Sequence, residues 1–163
     1  MNEKEKLIWD EILNFELDDP DSSFSFTDRL ARENGWTIEF SVRSIMEYKR
    51  FIFLICVSDT PQTPSDQVDQ VWHLHLIYTR SYWIDLCRNI LKREIHHGPT
   101  SGSGDKQRFE NQYEKTKALY SKVFEQEPPS DIWPSSKIRF SQLKFTRVNR
   151  HQNWVLTKPF FKK

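Results

Sequence analysis

One stretch of this chain both constrains its architecture and gathers its reactive side chains. Thr63 stands where a helix cap is wanted, Pro64 in the first helical position and Asp66 in the first turn, a strong start signal. The helical pattern then continues to residue 91, so the spacing predicts one long fourth helix over 64–91. The run from Pro64 to Cys87, with His96-His97-Gly98-Pro99 after it, holds four of the five histidines, one of the two cysteines and two of the six tryptophans. Any chemistry the chain performs is expected here.

The rest reads as helices placed around that segment. Asn2 and Glu5 have the spacing of a capping box, and Leu7, Ile8, Ile12 and Phe15 recur at helical intervals, which predicts a first helix over 3–16. Ser25 caps a second over 26–34, with Gly35 at its left-handed stop. Thr37 caps a third helix. Its end, Phe51 to Val57, would also suit a buried strand, but continuity with the preceding residues favours helix. A fifth helix starts at Asp105 and is stopped by Pro128-Pro129. The expected fold is all-α, about five helices packed around one long central helix, with an extended C-terminal tail. Residues 1–134 form the helical domain and 135–163 the tail, where the alternation over 138–148 suits either a short edge hairpin or an extended segment.

Charge and cysteine usage narrow the function classes. Lys+Arg is 24 against Asp+Glu 23 in 163 residues, so no global field argues for nucleic acid. Only the tail is locally basic, with Lys137, Arg139, Lys144, Arg147, Arg150 and Lys158 interleaved with Phe140, Phe145 and Trp154. That pattern permits a nucleic-acid or protein-partner surface, of which the protein partner is preferred, although a solvated tail is the commoner outcome of such a pattern. The charged N-terminus leads into no signal-peptide core, and Phe51–Val57 falls far short of the ~20 apolar residues of a membrane helix. A cytoplasmic protein with Cys56 and Cys87 as free thiols is expected, with no membrane association.

On a helical wheel of 64–91, Asp66, Asp69, His73, Ile77, Arg80, Ile84 and Cys87 share one stripe, while His75 lies opposite, beside Thr79 and Tyr82. One ion cannot then take both His73 and His75. The better pair is Asp69 and His73, one turn apart, with His96, His97 and Cys87 as further ligands for a divalent transition metal such as Zn²⁺. If the chain is an enzyme, metal-assisted hydrolysis is the class, with Asp69 or Glu47 as base. The rival reading is a non-catalytic protein-interaction module in which the same residues form a structural hydrogen-bond network and Cys87 is a small buried hydrophobe. No spacing here matches a zinc finger, a ribbon or a His-Glu-x-x-His helix. His96-His97 before Gly-Pro also suits a plain helix end, and Ser101-Gly-Ser-Gly lacks the Lys-Ser/Thr of a phosphate loop and reads as linker. Because His73 shares a face with Asp69, its loss is expected to cost more stability than that of His75.

The words Val68-Asp-Gln-Val-Trp-His-Leu-His-Leu, Tyr82, Cys87 and His96-His97-Gly-Pro-Thr resemble the glycine-rich domain-containing protein-like family, whose hallmark is a Trp-His-x-His helix followed by Tyr…Cys…His. Glu47-Tyr-Lys-Arg-Phe, Tyr113-x-x-Thr-x-x-x-Tyr120 and Pro128-Pro-x-x-Ile-Trp-Pro134 extend the likeness over roughly residues 28–134. The glycine-rich extension that names the family is missing, apart from Gly102 and Gly104. The resemblance implies where the site lies and carries no reaction with it.

Overall fold

The structure, a computed structural model, describes residues 1–98, 106–141 and 154–156. Among them every regular element is helical: α1 (Glu3–Asn14), α2 (Phe26–Asn34), α3 (Ile38–Val57), α4 (Asp66–Ile77), a π-helix (Arg80–Leu91), α5 (Lys106–Phe124) and α6 (Ser136–Arg139). The all-α expectation therefore holds. No helix among the described residues is long and apolar enough to cross a membrane.

Local chemistry sets the early boundaries. The Glu5 amide donates to the Asn2 side chain at 2.9 Å and the Asn2 amide to the Glu5 carboxylate at 2.8 Å, the reciprocal box the sequence announced. Ser25 and Asp28 repeat it on α2. Asp18 fixes that same end by accepting from both the amide and the hydroxyl of Thr27 at 2.7 Å. Gly35 ends α2 with φ 66°, where a side chain would be strained.

The long helix at the centre is α3, which packs against α1, α2, α4 and α5. Phe51, Ile52, Phe53 and Leu54 are successive and all fully buried, so this end of α3 is covered on every side. Phe51 meets Trp72 of α4 at 5.6 Å and Trp133 at 6.2 Å between ring centroids. Lys49 is buried too; its ammonium donates at 2.7 Å to the Leu13 carbonyl, one of the unpaired carbonyls at the end of α1. Burial lowers the Lys49 pKa, against the pull of Glu16.

The single helix expected over 64–91 is instead two elements, and this corrects the reading of the central segment. Ser65, not Thr63, caps α4, its hydroxyl accepting from the Val68 amide at 3.1 Å. The Thr63 amide donates to Thr116 of α5. At Tyr78 the backbone turns to ψ 65° and α4 stops; the chain resumes at Arg80 with the wider π-helical bonding. No glycine or proline marks the break, which tertiary contacts hold. Tyr78 packs on Phe26 at 5.3 Å and lies under the Arg29 guanidinium at 5.8 Å. Past the break the wheel no longer applies, and Cys87 leaves the stripe that holds His73.

Beyond Pro134 the chain turns into α6, which packs on α5. The hairpin-or-tail reading of 138–148 falls outside the described residues from Gln142 on, as does the linker reading of Ser101 to Gly104. Trp154, Val155 and Leu156 are exposed.

His73 and His75 face different sides, but their weights are reversed. His75 is fully buried, with Tyr48 at 2.8 Å from Nδ1 and Ser81 at 3.0 Å from Nε2, whereas the His73 side chain is half exposed. The buried Tyr48 hydroxyl has no other partner among the described residues, so it donates to Nδ1 and the Nε2–H donates to Ser81. Burial pushes the His75 pKa down to about 3. Unfolded chains would take up a proton near pH 6.5 that the fold refuses until about 3, so this contribution is complete above pH 6.5 and is lost as pH falls. His75→Ala should cost about 2–4 kcal/mol by denaturant midpoint, and His73→Ala no more than about 0.5 kcal/mol. Between pH 6.5 and 3, His75→Gln should flatten the stability profile by up to about 1.4 kcal/mol per pH unit. Parallel profiles would show that His75 is not held neutral.

Candidate metal centre

Three sequence-predicted residues meet on the outer side of α4. Asp69 and His73 stand one turn apart on that helix, and His97 comes from the segment after the π-helix. One ligand atom from each lies within 4.8 Å of the other two. His97 Nε2 is 2.8 Å from Asp69 Oδ1, and His73 Nε2 is 3.9 Å from the same oxygen. The His73 and His97 rings are 4.5 Å apart between centroids. Asp69 and His97 are mostly covered, with side chains 17% and 19% exposed, while His73 at 50% opens the group to solvent.

A chain of buried polar contacts brings His97 to a residue 28 positions earlier. The π-helix ends in a left-handed turn at Lys92, φ 53°, which sends the chain back toward α4. Tyr82, fully buried, then ties the returning strand of chain to the helix: Trp72 Nε1 donates to its hydroxyl at 2.9 Å, and the hydroxyl donates to the Ile95 carbonyl. Two residues later, the His97 ring sits edge-on to Trp72 at 4.5 Å. The tryptophan thus orients the imidazole from one side and anchors its loop from the other.

The remaining candidates lie elsewhere. His96 points outward beside Glu94 at 3.3 Å and packs against Trp83. Cys87 is fully buried and belongs to the Tyr82–Ile95 anchor, where burial pushes its pKa up and a backbone hydrogen bond from Ile95 eases it down. Glu47 is buried in a separate cluster. Its Oε1 accepts from Arg50 at 2.8 Å and Tyr120 at 3.2 Å, and its Oε2 from Trp133 Nε1 at 2.9 Å. Both Glu47 oxygens are therefore engaged in joining α3 to α5 and the Trp133 turn.

Arg139, which no local pattern marks as a site residue, is carried to the centre by α6. Its Nε donates to the Pro64 carbonyl at 3.2 Å, and its two Nη atoms stand 3.7 Å from Asp66 Oδ1 and 3.8 Å from Asp69 Oδ2. Asp69 thus faces the histidines with one oxygen and a guanidinium with the other. In the sequence Arg139 is one of many tail cations, and nothing in its neighbours marks it out.

No family model, curated protein or solved structure matches the chain. The geometry alone carries the functional argument.

Both cysteines are free. Burial raises the Cys56 pKa to about 11 and raises Cys87 as well, which keeps both as thiols at neutral pH. Alkylation of the native protein at pH 7.5 should therefore be slow at both, at least tenfold below the unfolded chain. Fast labelling of Cys87 alone would mean that the Tyr82–Ile95 anchor opens readily.

Proposed function

We propose that Asp69, His73 and His97 bind a divalent transition metal, with Zn²⁺ the best-fitting ion. One observation carries the reading: His73, half exposed and 3.9 Å from Asp69 Oδ1, converges on the Asp69–His97 pair without hydrogen-bonding to it. Ligands at ~2.1 Å from a tetrahedral ion stand ~3.4 Å apart. The 2.8 Å and 3.9 Å separations from Asp69 bracket that value, and all three ligand atoms lie within 4.8 Å of one another. His97 donates its Nε2 proton to Asp69 in the present arrangement, and an ion would replace that proton. Nitrogen and carboxylate ligands favour zinc or another late first-row ion over calcium or magnesium.

Three protein ligands leave a fourth position for water, as in catalytic rather than structural zinc sites. Metal-assisted hydrolysis is the reaction class this suits, because the ion itself brings bound water to a pKa near 7 and needs no strong separate base. Asp69 is the carboxylate of the group; Glu47 is engaged elsewhere. Membership in the glycine-rich domain-containing protein-like family is proposed on the sequence words alone. A cytoplasmic setting is proposed with it, since the free thiols suit a reducing compartment.

The rival reading, an interaction module whose polar residues only knit the fold, draws support from Asp69, which already accepts from His97 and faces Arg139. It leaves His73 without a task. Stripped of metal and titrated with Zn²⁺ against a chromophoric chelator, the protein should bind one equivalent. His73→Ala should weaken binding by roughly 10–100-fold or more while leaving the thermal midpoint of the metal-free protein unchanged. Zinc affinity indifferent to His73, Asp69 and His97 would return the case to the interaction module.

A further inference from the structure

We propose, resting on the metal reading, that Arg139 makes this centre an oxyanion site. The ligand it would take is a carboxylate or phosphate group bound jointly by the ion and the guanidinium. Arg139 is fixed through one edge: Nε is spent on the Pro64 carbonyl at 3.2 Å. Its outer edge is not. The two Nη atoms approach Asp66 and Asp69 only to 3.7 and 3.8 Å, beyond hydrogen-bond reach, and have no hydrogen-bond acceptor among the described residues. The side chain is 18% exposed, so the fork is held in place yet reachable.

Position supplies the rest. Asp69 offers Oδ1 to the histidines and turns Oδ2 toward Nη2, so an ion on the one side and the guanidinium on the other are separated by a single carboxylate. An arginine fork matches the spacing of two oxygens on one carboxylate or phosphate. Charge agrees: the two positive charges of the ion and the one of Arg139 face the carboxylates of Asp66 and Asp69, leaving one positive charge for an anion to neutralise. Such an oxyanion would take the position on the ion otherwise left to water, so on the hydrolytic reading it is the reacting phosphoryl or carboxyl group itself, or the anionic product, rather than a remote anchor. This gives Arg139 a task beyond holding α6 against α4.

The test uses the full chain loaded with Co²⁺, whose visible spectrum reports its ligands, titrated separately with inorganic phosphate and acetate. A saturable spectral change with either anion is expected. Preference for phosphate would assign a phosphoryl ligand, and preference for acetate a carboxylate one. Arg139→Gln should bind Co²⁺ with the same stoichiometry and lose anion affinity at least tenfold. Arg139→Lys, which keeps the charge without the fork, should fall between. Anion binding equal in wild type and Arg139→Gln, or cobalt-loaded protein that takes neither anion, overturns the proposal and leaves the metal site standing. A chain that takes up no Co²⁺ overturns both.

Discussion

The candidate site depends on the hydroxyl of Tyr82. This fully buried group accepts from Trp72 on α4 and donates its one proton to the Ile95 carbonyl in the returning loop, so it joins the two at one junction. A buried hydroxyl left unpaired would cost about 1–3 kcal/mol, which makes alternative placements of the loop unfavourable. The junction sets the position of Ile95, and His97 two residues later has Trp72 as its backstop. Without it, Asp69 and His73 would lack their third partner, His97.

The break at Tyr78 is the second constraint. Had the helix continued to residue 91, Cys87 would have shared the face of His73 but stood about 21 Å from it along the axis. Stopping at Ile77 and resuming as a π-helix turns Tyr82 and Cys87 into the core instead. It also lets His75 bridge Tyr48 and Ser81 as a neutral, fully buried ring. The two histidines of one Trp-His-Leu-His word thus divide between stability and solvent.

Much of this was legible in the chain. The Asn2, Ser25 and Thr37 caps, the Gly35 stop and the pairing of Asp69 with His73 follow from local spacing, which depends on near neighbours alone. What escaped was set by distant contacts. The helix break has no proline or glycine to announce it, because Phe26 and Arg29 hold Tyr78 from another helix. Glu47 reads as an available carboxylate until Tyr120 and Trp133, far along the chain, claim its oxygens. Arg139 was indistinguishable from the other tail cations, since only the packing of α6 brings it to Pro64 and Asp69. The choice between His96 and His97 could not be made from adjacent identical residues; the Trp72 contact makes it.

The central claim is that the site is built from two imidazoles and a carboxylate, with the cysteine left in the core. X-ray absorption at the zinc edge of protein loaded with one equivalent tests it directly. The expected result is a first shell of nitrogen and oxygen only, at about 2.0–2.1 Å, with outer-shell scattering from two imidazole rings. A sulfur shell at about 2.3 Å, or a first shell of water oxygens with no imidazole scattering, would contradict it.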